Sequence, residues 1–140
     1  MLKKMGKRLK NERGLTLIEL LAVVVILGII AAIAIPSIGG LINNSRADAH
    51  IANAQQMVNA ARLSMTGEEI ADGGQINLDT LEDNGYLEPV DNPSGGTYDG
   101  QASFVTIDAD GDHTVTLSNG TSLYLDNDNP DEITRDDVDM

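Results

Sequence analysis

The chain has 140 residues, 41% hydrophobic and 3% aromatic, with no Cys, no Trp and a formal net charge of −13. No disulfide framework, thiol nucleophile or Cys-ligated zinc site can be built from such a composition. Its two histidines, His50 and His113, lie far apart in sequence, which argues against a His-rich metal centre or a Ser-His triad.

The charge is segregated. Residues 1–14 hold Lys3, Lys4, Lys7, Arg8, Lys10 and Arg13 against one acid, Glu12, whereas from residue 65 onward 19 acids face a single cation, Arg135. Without residues 1–14 the chain would keep three cations against 21 acids, a net of −18. A surface that acidic repels nucleic-acid phosphates, so direct nucleic-acid binding by the C-terminal part is not expected.

Behind the basic leader, 1–14, comes the dominant feature. From Leu20 to Ile42 there are 23 residues without a charge. A helix needs about 20 apolar residues to cross a bilayer core, and residues 15–35 as a helix would be roughly 31 Å long. The cationic leader places the N-terminus in the cytoplasm and the acidic part outside. A cleaved signal peptide is the competing reading: Ala32-Ile33-Ala34 is a small-residue site, but signal peptides have shorter apolar cores of about 7–15 residues. A plain membrane anchor leaves Glu19 unexplained, since an acid inside an apolar span costs about 2.5–3.5 kcal/mol. No basic residue lies within the span to pair with it.

Arg13-Gly14-Leu15-Thr16-Leu17-Ile18-Glu19-Leu20-Leu21 resembles the processing site of bacterial type IV pilins and pseudopilins. The resemblance implies that a prepilin peptidase cuts between Gly14 and Leu15 and that Leu15 is then N-methylated. The family's acid falls on Glu19, its helix-interior glycine on Gly28 and its proline on Pro36, all in register; Leu15 stands where Phe is commonest. The resemblance is close over residues 8–42 and extends beyond them only in layout. In a filament, Glu19 of one subunit could pair with the new Leu15 ammonium of a neighbour, which offsets the cost of burying an unpaired charge. Thr16 either adds a hydroxyl to that assembly site or bonds its own helix. Pro36 cannot donate to the carbonyl of Ala32 and Gly28 weakens the helix by about 1 kcal/mol relative to Ala. The stretch between them is therefore expected either to unwind on assembly, as the resemblance implies, or simply to kink.

After Pro36 the pattern turns amphipathic. Ala47, Ile51, Ala54, Val58, Ala61 and Met65 recur at steps of four and three, which makes one helix face, and Asn53, Gln56, Asn59 and Arg62 lie opposite. Gly67 is a plausible stop. One helix, bent near Pro36, is expected from residue 15 to 66, roughly 78 Å in all. Asp79-Thr80-Leu81-Glu82 reads as a capped helical turn ending at Gly85, and Asn92-Pro93-Ser94-Gly95-Gly96 as a loop. Strands are expected at 103–107, 113–117 and 121–125. A three-residue loop, Ser118 to Gly120, would pair Leu117 with Thr121 and Val115 with Leu123, with Gly120 left-handed. The fold class is α+β: a long N-terminal helix packed on a small antiparallel sheet of about three strands. The expected organisation is leader 1–14, filament-core helix 15–36, amphipathic helix 37–66 and an acidic head, 67–140, with a solvated tail over the last ten residues.

Asp108, Asp110 and Asp112 offer oxygen donors of the kind calcium takes, with Asp126, Asp128 and Asp131 as a second acidic cluster. The same residues are ordinary turn formers, and the glycine spacing is wrong for an EF-hand. Calcium is thus the one cofactor these residues suggest, and no enzyme activity is expected. The function indicated is a structural filament subunit: the major pilin of a type IV pilus or pseudopilus, serving DNA uptake, adhesion or motility. The missing disulfide and small head look similar to Gram-positive pilins and the competence pseudopilin. Other readings are a type II secretion pseudopilin, or a secreted or membrane-anchored acidic calcium-binding module. The partners the resemblance implies are other copies of the chain, the prepilin peptidase and methyltransferase, a membrane platform protein, an assembly ATPase and minor pilins. The precursor would sit in the cytoplasmic membrane and the product in a surface filament.

Overall fold

The computed structural model describes residues 2–66 and 74–140, with side chains from residue 14 onward. The expected stop at Gly67 lies outside the described residues. Met1–Leu41 and Ile42–Met140 form separate compact units. Helix α1 runs from Leu2 to Met65, without interruption at Gly28 or Pro36. It is followed by strand β1 (Gln75–Asn77), a short helix α2 (Leu78–Asp83), β2 (Phe104–Ile107), β3 (His113–Ser118), β4 (Leu123–Asp128) and a 3-10 turn (Arg135–Asp137).

The four strands form an antiparallel meander in chain order. The expected α+β class is what the chain adopts, with one strand more than the sequence suggested. The extra strand is β1: Ile76 sits opposite Val105, which sits opposite Val115. With Ile107, Leu117 and Leu125 these residues make a dry sheet face, every one of them at most 4% exposed. The cover is the second part of α1, through Ala47, Ala54, Val58 and Ala61, with Ile51 and Met65 half-buried beside them. The small residues permit close approach to the sheet. The buried face is wider than the expected stripe, because His50, Met57, Ala60 and Ser64 are buried as well. Ser64 is tolerated there because its hydroxyl donates to the Ala61 carbonyl of its own helix at 2.7 Å.

Three local expectations are corrected. Helix α2 is capped by Asn77, whose side chain accepts from Thr80 N at 2.9 Å, and not by Asp79; Gly85 does supply the left-handed stop, at φ 75°. The β3–β4 connection is also different. Asn119 Oδ1 accepts from the backbone N–H groups of Thr121 and Ser122, closing a four-residue loop, with Gly120 at φ 84°. Ser118 then pairs with Leu123, Leu117 with Leu125 and Val115 with Asp128, so β4 carries two bulges. The bulges flip the expected alternation: Leu123 is 42% exposed, whereas the adjacent Tyr124 and Leu125 are both buried. Asn127, at φ 59°, occupies one bulge; Thr116 Oγ1 accepts from its N–H and Thr114 Oγ1 donates to its side chain. Finally, the last residues are not a solvated tail. Val138 is buried, Asp139 N donates to Tyr124 O at 3.0 Å, and Arg135 grips Asp48 through two bonds of 2.6 and 2.7 Å.

Candidate processing and assembly site

Gly14, Leu15, Thr16 and Glu19 all lie within α1. Leu15 and Glu19 are four residues apart and share a helix face. Leu15 is 59% exposed, and Glu19 is exposed and forms no ion pair among the described side chains. Thr16 engages a neighbouring group. A methyl group built onto Gly14 would meet nothing within 4 Å, and the same holds at Gly28, Gly39 and Gly40. Each of these glycines weakens the helix by about 1 kcal/mol relative to Ala. No packing requirement among the described residues accounts for them.

The surface around them is equally unsatisfied. Seventeen large apolar side chains between Leu15 and Ile42 are each 46–71% exposed. The helix is long and apolar enough to cross a membrane, and none of its most apolar window is buried within the chain. Patches of a few hundred Å² are the ordinary limit for a monomer in water. This one encircles the helix, so its partner has to be lipid or other apolar helices.

The head holds a second constellation, which sequence reasoning missed. His50, wholly buried on α1, has Nδ1 2.6 Å from Tyr98 Oη and Nε2 2.9 Å from Ser94 Oγ. A Ser–His pair therefore exists although none was expected. It has no access to substrate, because the ring is 0% exposed and sandwiched among aromatic side chains. Burial lowers the His50 pKa and pushes that of Tyr98 up to about 12. The periodicity of 50, 54, 57, 61 and 64 could have revealed His50 as a core position, but a polar residue on an apolar face is easily passed over.

Asp108, Asp110 and Asp112 are exposed and lie in a tight turn, where Asp108 N bonds Asp112 O and Gly111, at φ 86°, bonds back to Asp108 O. Among the described residues no group of three or more His, Asp or Glu side chains is placed to hold a metal ion. Asp48 and Arg135 are the ion pair of the head. The guanidinium hydrogen bond lowers the Asp48 pKa and raises that of Arg135. The Thr134 backbone and hydroxyl lower that of Asp137.

Residues 9–35 match the family model described as the prokaryotic N-terminal methylation motif. No curated protein and no solved structure matches the chain. Gly14, Leu15, Thr16, Glu19 and Gly28 fall inside the matched segment, and Pro36 lies one residue beyond it. The exposed apolar helix and the motif in register upon it mark the chain as a carrier of the N-terminal signature of type IV pilins and pseudopilins.

Proposed function

We propose that the chain is the major structural subunit of a type IV pilus or pseudopilus, made as a membrane precursor and matured by cleavage between Gly14 and Leu15. The carrying observation is that the methylation motif lies in register on a helix whose apolar side chains, from Leu15 to Ile42, stay exposed among the described residues. Hydrolysis of the Gly14–Leu15 bond consumes one water. It leaves a carboxylate on the basic leader and an ammonium on Leu15, which a methyltransferase then methylates.

The new cation is the reason for Glu19. In the precursor an acid within an apolar span is a liability. In a bundle, the Leu15 ammonium of a neighbour neutralises it, so only the correctly staggered subunit relieves the charge. Glu19 then sets the axial register, with Thr16 beside it. Gly28 and Pro36 lie where the helix is easiest to unwind as it leaves the bilayer. The heads, with 19 of the mature chain's 21 acids, coat the outside. A platform protein and an ATPase supply the work of extension, and minor pilins begin or end the filament.

Mass analysis of the mature chain, purified from a host that carries a prepilin peptidase, tests the reading. The expected product begins at Leu15 with one added methyl group. A product beginning at Ile35, as a signal peptidase would leave it, overturns the reading.

A further inference from the structure

The filament reading leaves the His50 constellation unused. The imidazole joins three separate pieces of the head. It belongs to α1, it hydrogen-bonds Tyr98 and Ser94 of the 91–98 loop, and it stacks on Tyr124 of β4 with ring centroids 4.3 Å apart and planes 23° from parallel. Tyr98 meets the same ring edge-on at 5.7 Å. Asn53, one turn along α1, donates to Tyr98 Oη at 3.1 Å and to Asp91 O at 3.0 Å. Tyr124 Oη accepts from Asn92 and Asn119.

One placement of the protons satisfies every group. Tyr98 Oη accepts from Asn53, so its own proton is free to go to His50 Nδ1. The neutral ring then carries its proton on Nε2 and donates to Ser94 Oγ. In this arrangement both ring nitrogens and the Tyr98 hydroxyl are satisfied. A second proton, on Nδ1, turns the acceptor into a donor and sets it against the Tyr98 proton. The hydroxyl must turn away, inside a core where it bonds no other acceptor among the described residues. Nor is there an anion against the ring: both nitrogens face hydroxyls. The charged and titratable groups on the surrounding elements are Arg46 and Asp48 on α1, Asp91, Tyr98 and Asp99 along the loop, Tyr124 and Asp126 on β4, and Arg135 beyond it. Asp48 is engaged by Arg135. Tyr98 cannot become the anion near neutrality, since burial pushes its pKa up to about 12. Burial is the cause of the low His50 pKa, with no charge contributing.

We propose that His50 is an acid-released latch that holds the 91–98 loop and β4 onto α1 while its ring is neutral and loosens them when the ring takes a second proton. The sign follows from proton binding. An unfolded His titrates near 6.5 and this one lower, so the unfolded chain binds more protons in the window between. The latch contributes fully above about pH 6.5 and fades as pH falls through the folded value, by up to about tenfold in the folded-to-unfolded ratio per pH unit. General charge works the other way. A mature chain with a net of −18 loses self-repulsion as it is acidified, which favours the compact state.

Thermal melting of the full chain in neutral detergent micelles, followed by tyrosine near-ultraviolet circular dichroism between pH 7.5 and 5.5, separates the two. The wild type and His113→Gln are expected to lose roughly 5–11 °C for each tenfold fall in that ratio, and His50→Gln to stay level or rise. A wild-type melting temperature that is level or rising towards pH 5.5, or a fall that persists in His50→Gln, overturns the latch. Should His50→Gln fail to fold, the imidazole proton resonances of the wild-type chain decide. A His50 midpoint below 6.5, with the Tyr98 and Tyr124 ring signals shifting in step, supports the proposal; a midpoint at or above 6.5 overturns it.

Discussion

Two regions of one helix, residues 15–41 and 42–65, obey opposite rules. The first is apolar on every side, rich in β-branched residues and interrupted by glycines that no neighbour within the chain requires. The second is alanine-rich, with one small-residue face at most 5% exposed at Ala47, Ala54, Val58, Ala60 and Ala61 and a polar face outside. In the second region the sequence explains itself through the monomer: each buried residue touches the head's own core. In the first it does not, and its logic becomes visible only against lipid, an enzyme or other copies. The lesson is that a residue without an intramolecular reason is a pointer to an intermolecular one.

That contrast can be broken experimentally. The largest effect is expected at Gly14. Since a Cβ added there meets nothing within 4 Å and the position lies on the helix outside the head's core, Gly14→Leu should leave the head folded and yet keep essentially all protein as uncleaved precursor, read from its mass. A normal mature product would remove the cleavage assignment. Glu19→Ala should be processed and inserted as usual but give little or no filament in sheared-cell preparations; wild-type yield would show that the acid does not set register.

The second region should respond in the reverse manner. Met57 is fully buried, so Met57→Ala should cost about 2–5 kcal/mol of head stability in denaturant titration, while cleavage at Gly14 proceeds unchanged. A loss of cleavage with intact stability would merge the two regions and defeat the comparison. The smallest effect is expected from Arg135→Ala, which removes an exposed ion pair with Asp48. Melting temperature should fall slightly at low salt and not at high salt. The pair lowers the Asp48 pKa, so its contribution is present above the ordinary carboxylate value near 3.9 and disappears as pH falls below that.

How much of this was readable in advance depended on whether the signal was local. The 47–65 stripe and the strands around Val105 and Val115 followed from periodicity, because side-chain direction repeats with the backbone. Strand β1 was missed because three residues, Gln75–Asn77, are too short to show an alternation; only pairing with β2 defines them. The β3–β4 register failed for a different reason. Regular alternation places Leu123 inward, but the Asx bonds of Asn119 lengthen the loop and a bulge between Leu123 and Leu125 adds a residue, so Tyr124 is buried beside Leu125. The docked C-terminal residues escaped notice because their five acids suggest solvation, while the anchors are one buried valine, one backbone bond and a cation, Arg135, whose partner lies 87 residues away. The motif at Gly14, Leu15 and Glu19 was the reverse case: plain in the sequence, where residues 9–35 match the methylation motif, and unmarked by any packing among the described residues.

The sheet's two margins have a consequence for crowding. A free strand margin invites a foreign strand to zip alongside it, and long flat ones seed clumping. One margin here, β1, is three residues long, and the other, β4, is kinked twice and ends in Asp126 and Asp128. Neither is a good template for a newcomer. Copies crowded together, as the proposed fibre would require, would thus be steered away from tangling through their outer parts.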